Sequence, residues 1–136
     1  MTAEALVAAL PIPQSTVPGW SRDALARRLD HFVREDSRTM EAVEAFRNHD
    51  RRHVEQLSAD SQADAETLLG NQIAETIALA ASAGKLGAFA ARSFGAGFGG
   101  SVWALVDAPR AGELAKRWTP DAFVALPGPP LIELTS

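Results

Sequence analysis

Four glycines stand within six residues, Gly95-Ala96-Gly97-Phe98-Gly99-Gly100, and no other stretch of the chain is so specialised for backbone chemistry. Glycine has no Cβ, so such a loop reaches positive φ and lets main-chain N–H groups approach a phosphate or another chain closely. Gly95, Gly97 and Gly100 fit G-x-G-x-x-G, but the dinucleotide fingerprint needs a helix opening directly after the glycines. Ser101 to Val106 reads instead as a strand. Val102 completes the protein-kinase form G-x-G-x-x-G-x-V, yet too little chain follows for a catalytic loop and a magnesium-binding Asp. A tight glycine bend between two buried strands is the competing, purely architectural reading.

Arg92, just before the loop, is the cation best placed to meet phosphate; the alternative is a structural pair with Glu35 or another acid. His49 and His53 stand four apart, as a helical zinc pair would. Asp50 between them is better used as a helix cap, which breaks that register, and no third ligand is evident, so no metal site is expected. His31 reads as a half-buried packing residue. No Ser, His and Asp set lies in nucleophile-elbow context. The chain has no cysteine, which removes thiolate nucleophiles, thiolate metal sites and disulfides together and suits a reducing compartment.

The elements that must position these groups follow from periodicity. Pro11, Pro13 and Pro18 with Gly19 make residues 1–20 a Pro-rich lead-in, read as loop or edge segment, ahead of a single domain over 21–136. Ser21 caps a long helix over about Arg22 to Arg47, with Leu25, Leu29, Phe32, Val33, Met40, Val43 and Phe46 as its apolar stripe. Asp50 caps a second helix bearing Val54 and Leu57. A third runs from about Ala63 to Ala83, with Leu69, Ile73, Ile77 and Ala80 inward and Gly84 as its stop. Ala88 to Phe94 and Ser101 to Val106 form two strands around the glycine loop. Asp107 with Pro109 opens a short helix carrying Leu114 and Trp118; Ala122 to Leu126 reads as a strand, and Leu131 to Leu134 as an edge strand. Trp103, Trp118 and Phe123 are expected in the core. Helices followed by β-β-α-β indicate an α+β fold, with helices packed on one face of a mainly antiparallel sheet.

With 136 residues, 46% of them hydrophobic, the chain can bury a core of its own. A net charge of −4 leaves no excess positive charge for nucleic acid or an anionic membrane surface, and no apolar run reaches the length of a membrane span. An acid at Glu4 and a stop at Pro11 argue against a secretory signal, so the expected location is cytoplasmic.

The segment Ala90-Ala91-Arg92-Ser93-Phe94-Gly95-Ala96-Gly97-Phe98-Gly99-Gly100-Ser101-Val102-Trp103-Ala104-Leu105-Val106 resembles the third signature of the GHMP kinase superfamily in its galactokinase form, G-x-R-M-T-G-A-G-F-G-G-C followed by an apolar strand. Upstream, Arg28, His31, Glu35, Arg38 and Ala42 are similar to the galactokinase helix R-x-x-H-x-x-x-E-x-x-R-x-x-x-A. Leu57 and Ser61 fit the following L-M-x-x-S-H segment. The chain departs from the pattern at Phe94 (family Thr), Gln62 (His), Ile73 (Cys), Ile77 (Asp) and Ser101 (Cys).

The resemblance implies a two-lobed parent that transfers the γ-phosphoryl of ATP, with magnesium, to a sugar hydroxyl. Sugar recognition, the P-x-x-x-G-L-x-S-S phosphate loop and a catalytic Asp belong to its N-terminal half, and the third signature to its C-terminal half. P-x-x-x-G-L-x-S-S is absent here, so the chain reads as the C-terminal half alone, excised or encoded as a truncated gene. It would supply the glycine loop, with Gly95 to Gly100 and Arg92 beside the phosphates. No catalytic residue, metal or bound cofactor is then expected of the isolated chain, and no kinase activity. Its expected partners are the N-terminal kinase half or a second copy in a homodimer. The alternative is a non-enzymatic, self-associating or partner-binding module whose glycine loop is only structural.

Overall fold

The structure, a computed structural model, describes residues 3–9 and 21–128. The lead-in prolines and the segment Leu131 to Leu134 lie outside them. Within the lead-in, Ala3–Ala9 form a helix, α1, that packs on α2, where loop or edge structure was expected.

Helix α2 spans Arg22–Arg47, and Ser21 caps it by accepting from the Ala24 N–H at 3.2 Å. Its turn to α3 (Arg51–Asp64) passes through His49 at φ 54° and Asp50, whose carboxylate accepts from the His53 N–H at 3.0 Å. Both caps fall where short polar side chains satisfy the orphan N–H groups of a first turn.

The third helix does not begin at Ala63. Helix α3 runs on into a π-helical turn, Ala65–Leu69, that ends where Gly70 adopts φ 66° and donates its N–H to the Ala65 carbonyl. Nothing between Leu57 and Ala63 breaks a helix; Gly70 does. Helix α4 then spans Ala74–Lys85. Gly84 lies inside it, and the chain reverses instead at Gly87 (φ 100°), where the Arg110 guanidinium occupies the space of a Cβ.

Strands β1 (Ala90–Phe94) and β2 (Ser101–Leu105) pair antiparallel with Ala90 opposite Leu105 and Phe94 opposite Ser101. A 3-10 turn at Ala108–Arg110 leads into α5 (Ala111–Trp118), with Leu114 buried. Trp118 donates its indole N–H towards the Leu79 carbonyl (3.0 Å) and Ser82 Oγ (3.1 Å), tying α5 to α4. Helices packed on an antiparallel two-stranded sheet make the fold α+β, as expected. Ala122 to Leu126 is not a strand: no neighbouring strand takes it up among the described residues, and Phe123 is 82% exposed rather than core.

The core is built from small side chains. Ala45, Val54, Leu57 and Ala90 form its centre, flanked by Ala42, Phe89, Trp103 and Leu105. Alanine therefore marks the inner face of α2, with Ala24, His31, Glu35, Arg38, Ala42 and Ala45 turned inward at three-, four- and seven-residue steps. The stripe of larger residues points elsewhere: Phe32, Val33, Met40, Val43 and Phe46 are all exposed. Periodicity located a helix face correctly as apolar but not the face that packs, because the inward face combines alanines, which carry little apolar signal, with the polar His31, Glu35 and Arg38, which find partners or burial there.

Candidate functional site

The loop Gly95–Gly100 joins two paired strands, and its backbone is almost wholly left-handed. Gly95 (φ 89°), Gly97 (83°), Gly99 (120°), Gly100 (87°) and also Phe98 (57°) have positive φ. A bulky side chain in that region is costly and persists only where its surroundings fix it. Asn71, buried in the link between the π-helical turn and α4, provides that restraint. Its carbonyl accepts from the Phe98 N–H, and its side-chain Nδ2 donates to the Ala96 carbonyl at 3.1 Å. Gly97 lies against it so closely that a Cβ there would collide with Asn71 Nδ2 and with the Asn71 carbonyl. Gln72 in turn donates to Asn71 Oδ1 at 2.8 Å, and Thr76 Oγ1 lies 3.2 Å from Gln72 Oε1. Sequence reasoning missed Asn71; the only signal was its position after a glycine that ends a helix.

Phe98 is 75% and Phe94 56% exposed, so the loop and the end of the strand that leads into it present two aromatic rings to the outside. Ala96 is exposed as well.

Arg92 does not join the loop. Its Nη1 lies 2.9 Å from Glu35 Oε2, so the structural pair is the observed arrangement. Glu35 also takes Arg38 (2.8 Å) and the Ser61 hydroxyl, whose Oγ is 2.6 Å from both carboxylate oxygens. Arg38 continues to Asp64 at 2.6 Å. Burial by itself raises the Glu35 pKa, but hydrogen bonds from Ser61 and Arg38 and the charges of Arg92 and Arg38 outweigh it, leaving the carboxyl below its ordinary value. Burial likewise works against the Arg38 charge, and its bonds to Glu35 and Asp64 hold it above its usual value. The network lines a cleft of about 170 Å³ formed by α2, α3 and the sheet, together with Phe46, Trp103 and Leu105. Arg92 Nε is buried there without a hydrogen-bond partner.

Among the described residues no set of three or more His, Asp or Glu side chains is grouped to hold a metal. His53 instead stands 3.5 Å from Glu41, and Asp50 is engaged as the cap. No described helix is long and apolar enough to cross a membrane.

Comparison with known proteins agrees with this geometry. The family model described as GHMP kinases C terminal matches residues 42–125, and the chain belongs to that family. A galactokinase of Thermococcus kodakarensis (strain ATCC BAA-918 / JCM 12380 / KOD1) is 32% identical over 111 residues, covering 74% of this chain and 32% of the relative. The chain thus spans about a third of the length of the curated relative it matches.

Proposed function

We propose that this member of the GHMP kinase C-terminal family serves as the C-terminal domain of a galactokinase-like sugar kinase, working with an N-terminal half that carries the phosphate loop and catalytic Asp. The carrying observation is the left-handed loop Gly95–Gly100, held in one shape by Asn71. Phosphoryl transfer rests on positioning and on electrostatic stabilisation, so a fixed loop of backbone N–H groups beside the phosphates contributes without a reactive side chain. Arg92, paired with Glu35 at 2.9 Å, ties β1, the strand that leads into the loop, to α2. ATP, with magnesium, is the phosphoryl donor of the parent. The exposed aromatic and aliphatic stripe of α2 fits a lobe interface, since contiguous apolar surface on a folded domain marks a contact site. A cytoplasmic location agrees with the lack of cysteine.

The test measures ADP formation with galactose and related sugars. The chain alone is expected to give none, and its mixture with the separately expressed N-terminal half of the Thermococcus galactokinase is expected to give protein-dependent turnover. Turnover by the repurified chain alone would overturn the supporting role; a mixture that forms a complex without turnover would overturn the kinase reading.

A further inference from the structure

The two edges of the sheet are treated differently. On β1, the Ser93 N–H donates to Gln62 Oε1 at 3.0 Å, and the Ala91 carbonyl accepts from Ser58 Oγ at 3.3 Å. In an antiparallel pair, residues alternate between bonding to the partner strand and pointing away from it. Ala91 and Ser93 point away from β2 and into α3, so the residues opposite them, Ala104 and Val102, point away from β1. Their N–H and C=O groups therefore line the outer edge of β2, and no third strand meets that edge among the described residues. The strand Ser101-Val102-Trp103-Ala104-Leu105 carries no charge and no proline, the devices that normally blunt an exposed edge.

We propose that this edge pairs with the same edge of a second copy of the chain, forming a two-fold dimer with a continuous sheet in the order β1-β2-β2-β1. The edge is self-complementary. Val102 and Ala104 lie symmetrically about Trp103, so with Trp103 opposite its counterpart on the axis, each Val102 exchanges main-chain hydrogen bonds with Ala104 of the second copy. Trp103 then occupies a non-hydrogen-bonded position across the axis, where facing side chains come closest and aromatic pairs contribute most. Pairing also stops there. The outer edges of the extended sheet are the two β1 strands, already satisfied by Gln62 and Ser58, so the assembly closes as a dimer instead of growing into a filament. Phe46, beside Trp103 in the cleft and exposed, adds apolar surface next to the new strand pair. The pairing stands whether or not the loop takes part in phosphoryl transfer.

The test uses the full chain. Light scattering during size exclusion is expected to show a mass rising with concentration from 14.4 kDa towards the dimer in the micromolar range. Amide exchange on the same samples is expected to show Val102 and Ala104 gaining about tenfold or more in protection on dimerisation, while the Ser93 amide stays protected throughout. Ala104→Pro removes an outward N–H without touching the β1 ladder and is expected to keep the helical circular dichroism while losing the dimer. Because the chain lacks cysteine, Trp103→Cys is expected to crosslink to itself under mild oxidation, and Val102→Cys and Ala104→Cys to crosslink far more slowly. A monomer at all concentrations overturns the proposal, whether the two amides are open or already covered by the chain itself. So does a dimer in which their protection is unchanged.

Discussion

Gln62 accepts the main-chain N–H of Ser93 from outside the sheet, at 3.0 Å, in the place where the carbonyl of a further strand would stand. The same oxygen lies 3.3 Å from Ser93 Oγ, and Ser93 is 4% exposed. With Ser58, which donates to the Ala91 carbonyl, this side chain of α3 covers the outer edge of β1 and fixes how the strand, and with it the glycine loop, sits against the helical layer.

Replacing Gln62 by Ala leaves the buried Ser93 N–H without an acceptor. The expected loss is about 1–3 kcal/mol of stability, read by urea denaturation. With β1 then open as well as β2, light scattering is expected to show species heavier than the dimer.

The two outer glycines of the G-A-G segment are expected to differ sharply when substituted. A Cβ at Gly95 meets nothing within 4 Å, so Gly95→Ala carries only the left-handed backbone penalty, about 1 kcal/mol. At Gly97 the same penalty is joined by a clash with both the side chain and the carbonyl of Asn71, and Gly97→Ala is expected to cost about 3 kcal/mol. Thermal melts of the two variants side by side check the ranking. Equal losses would mean that Asn71 does not hold the loop.

The caps, the strands and the loop were legible in the sequence because each rests on a local rule: Ser21 and Asp50 as acceptors at helix starts, and glycines where φ must be positive. The Arg92 alternatives could not be separated that way, since Glu35 lies far off along the chain and only the approach of α2 to β1 brings the two within 2.9 Å. Asn71 was illegible for a similar reason. Its role depends on where the Gly70 turn delivers it in space and not on its neighbours in sequence. Ala122 to Leu126 failed differently: a short apolar run becomes a strand only when an edge takes it up.

Glu35 makes part of the stability pH-dependent. Its folded pKa lies below the unfolded value of about 4.5, so its contribution is complete above that pH and is lost as pH falls through the folded value. Glu35→Gln is expected to be about 1–3 kcal/mol less stable at neutral pH, because Arg38, Arg92 and Ser61 lose a charged acceptor. The gap between the wild type and this variant should narrow as pH drops below about 4.5. Denaturation midpoints from pH 7 down to pH 3 measure it, and a gap that stays constant would show that the carboxylate is not what the arginines hold.

The exposure of the large residues on α2 gives a test of which face packs. Phe32, 66% exposed, and Met40, 68% exposed, lie away from the core, whereas Ala45 is 3% exposed among Val54, Leu57 and Ala90. Phe32→Ser and Met40→Gln are expected to change stability by no more than about 0.5 kcal/mol, as surface substitutions do. Ala45→Leu adds bulk where α2 meets α3 and the sheet and is expected to cost about 1–3 kcal/mol. The reverse ranking would mean that the larger stripe is the packed face. A second readout separates packing from docking: the polar variants should bind less of an apolar-surface dye than the wild type while melting at the same temperature, because the surface they remove is open in the isolated chain and available to a partner lobe.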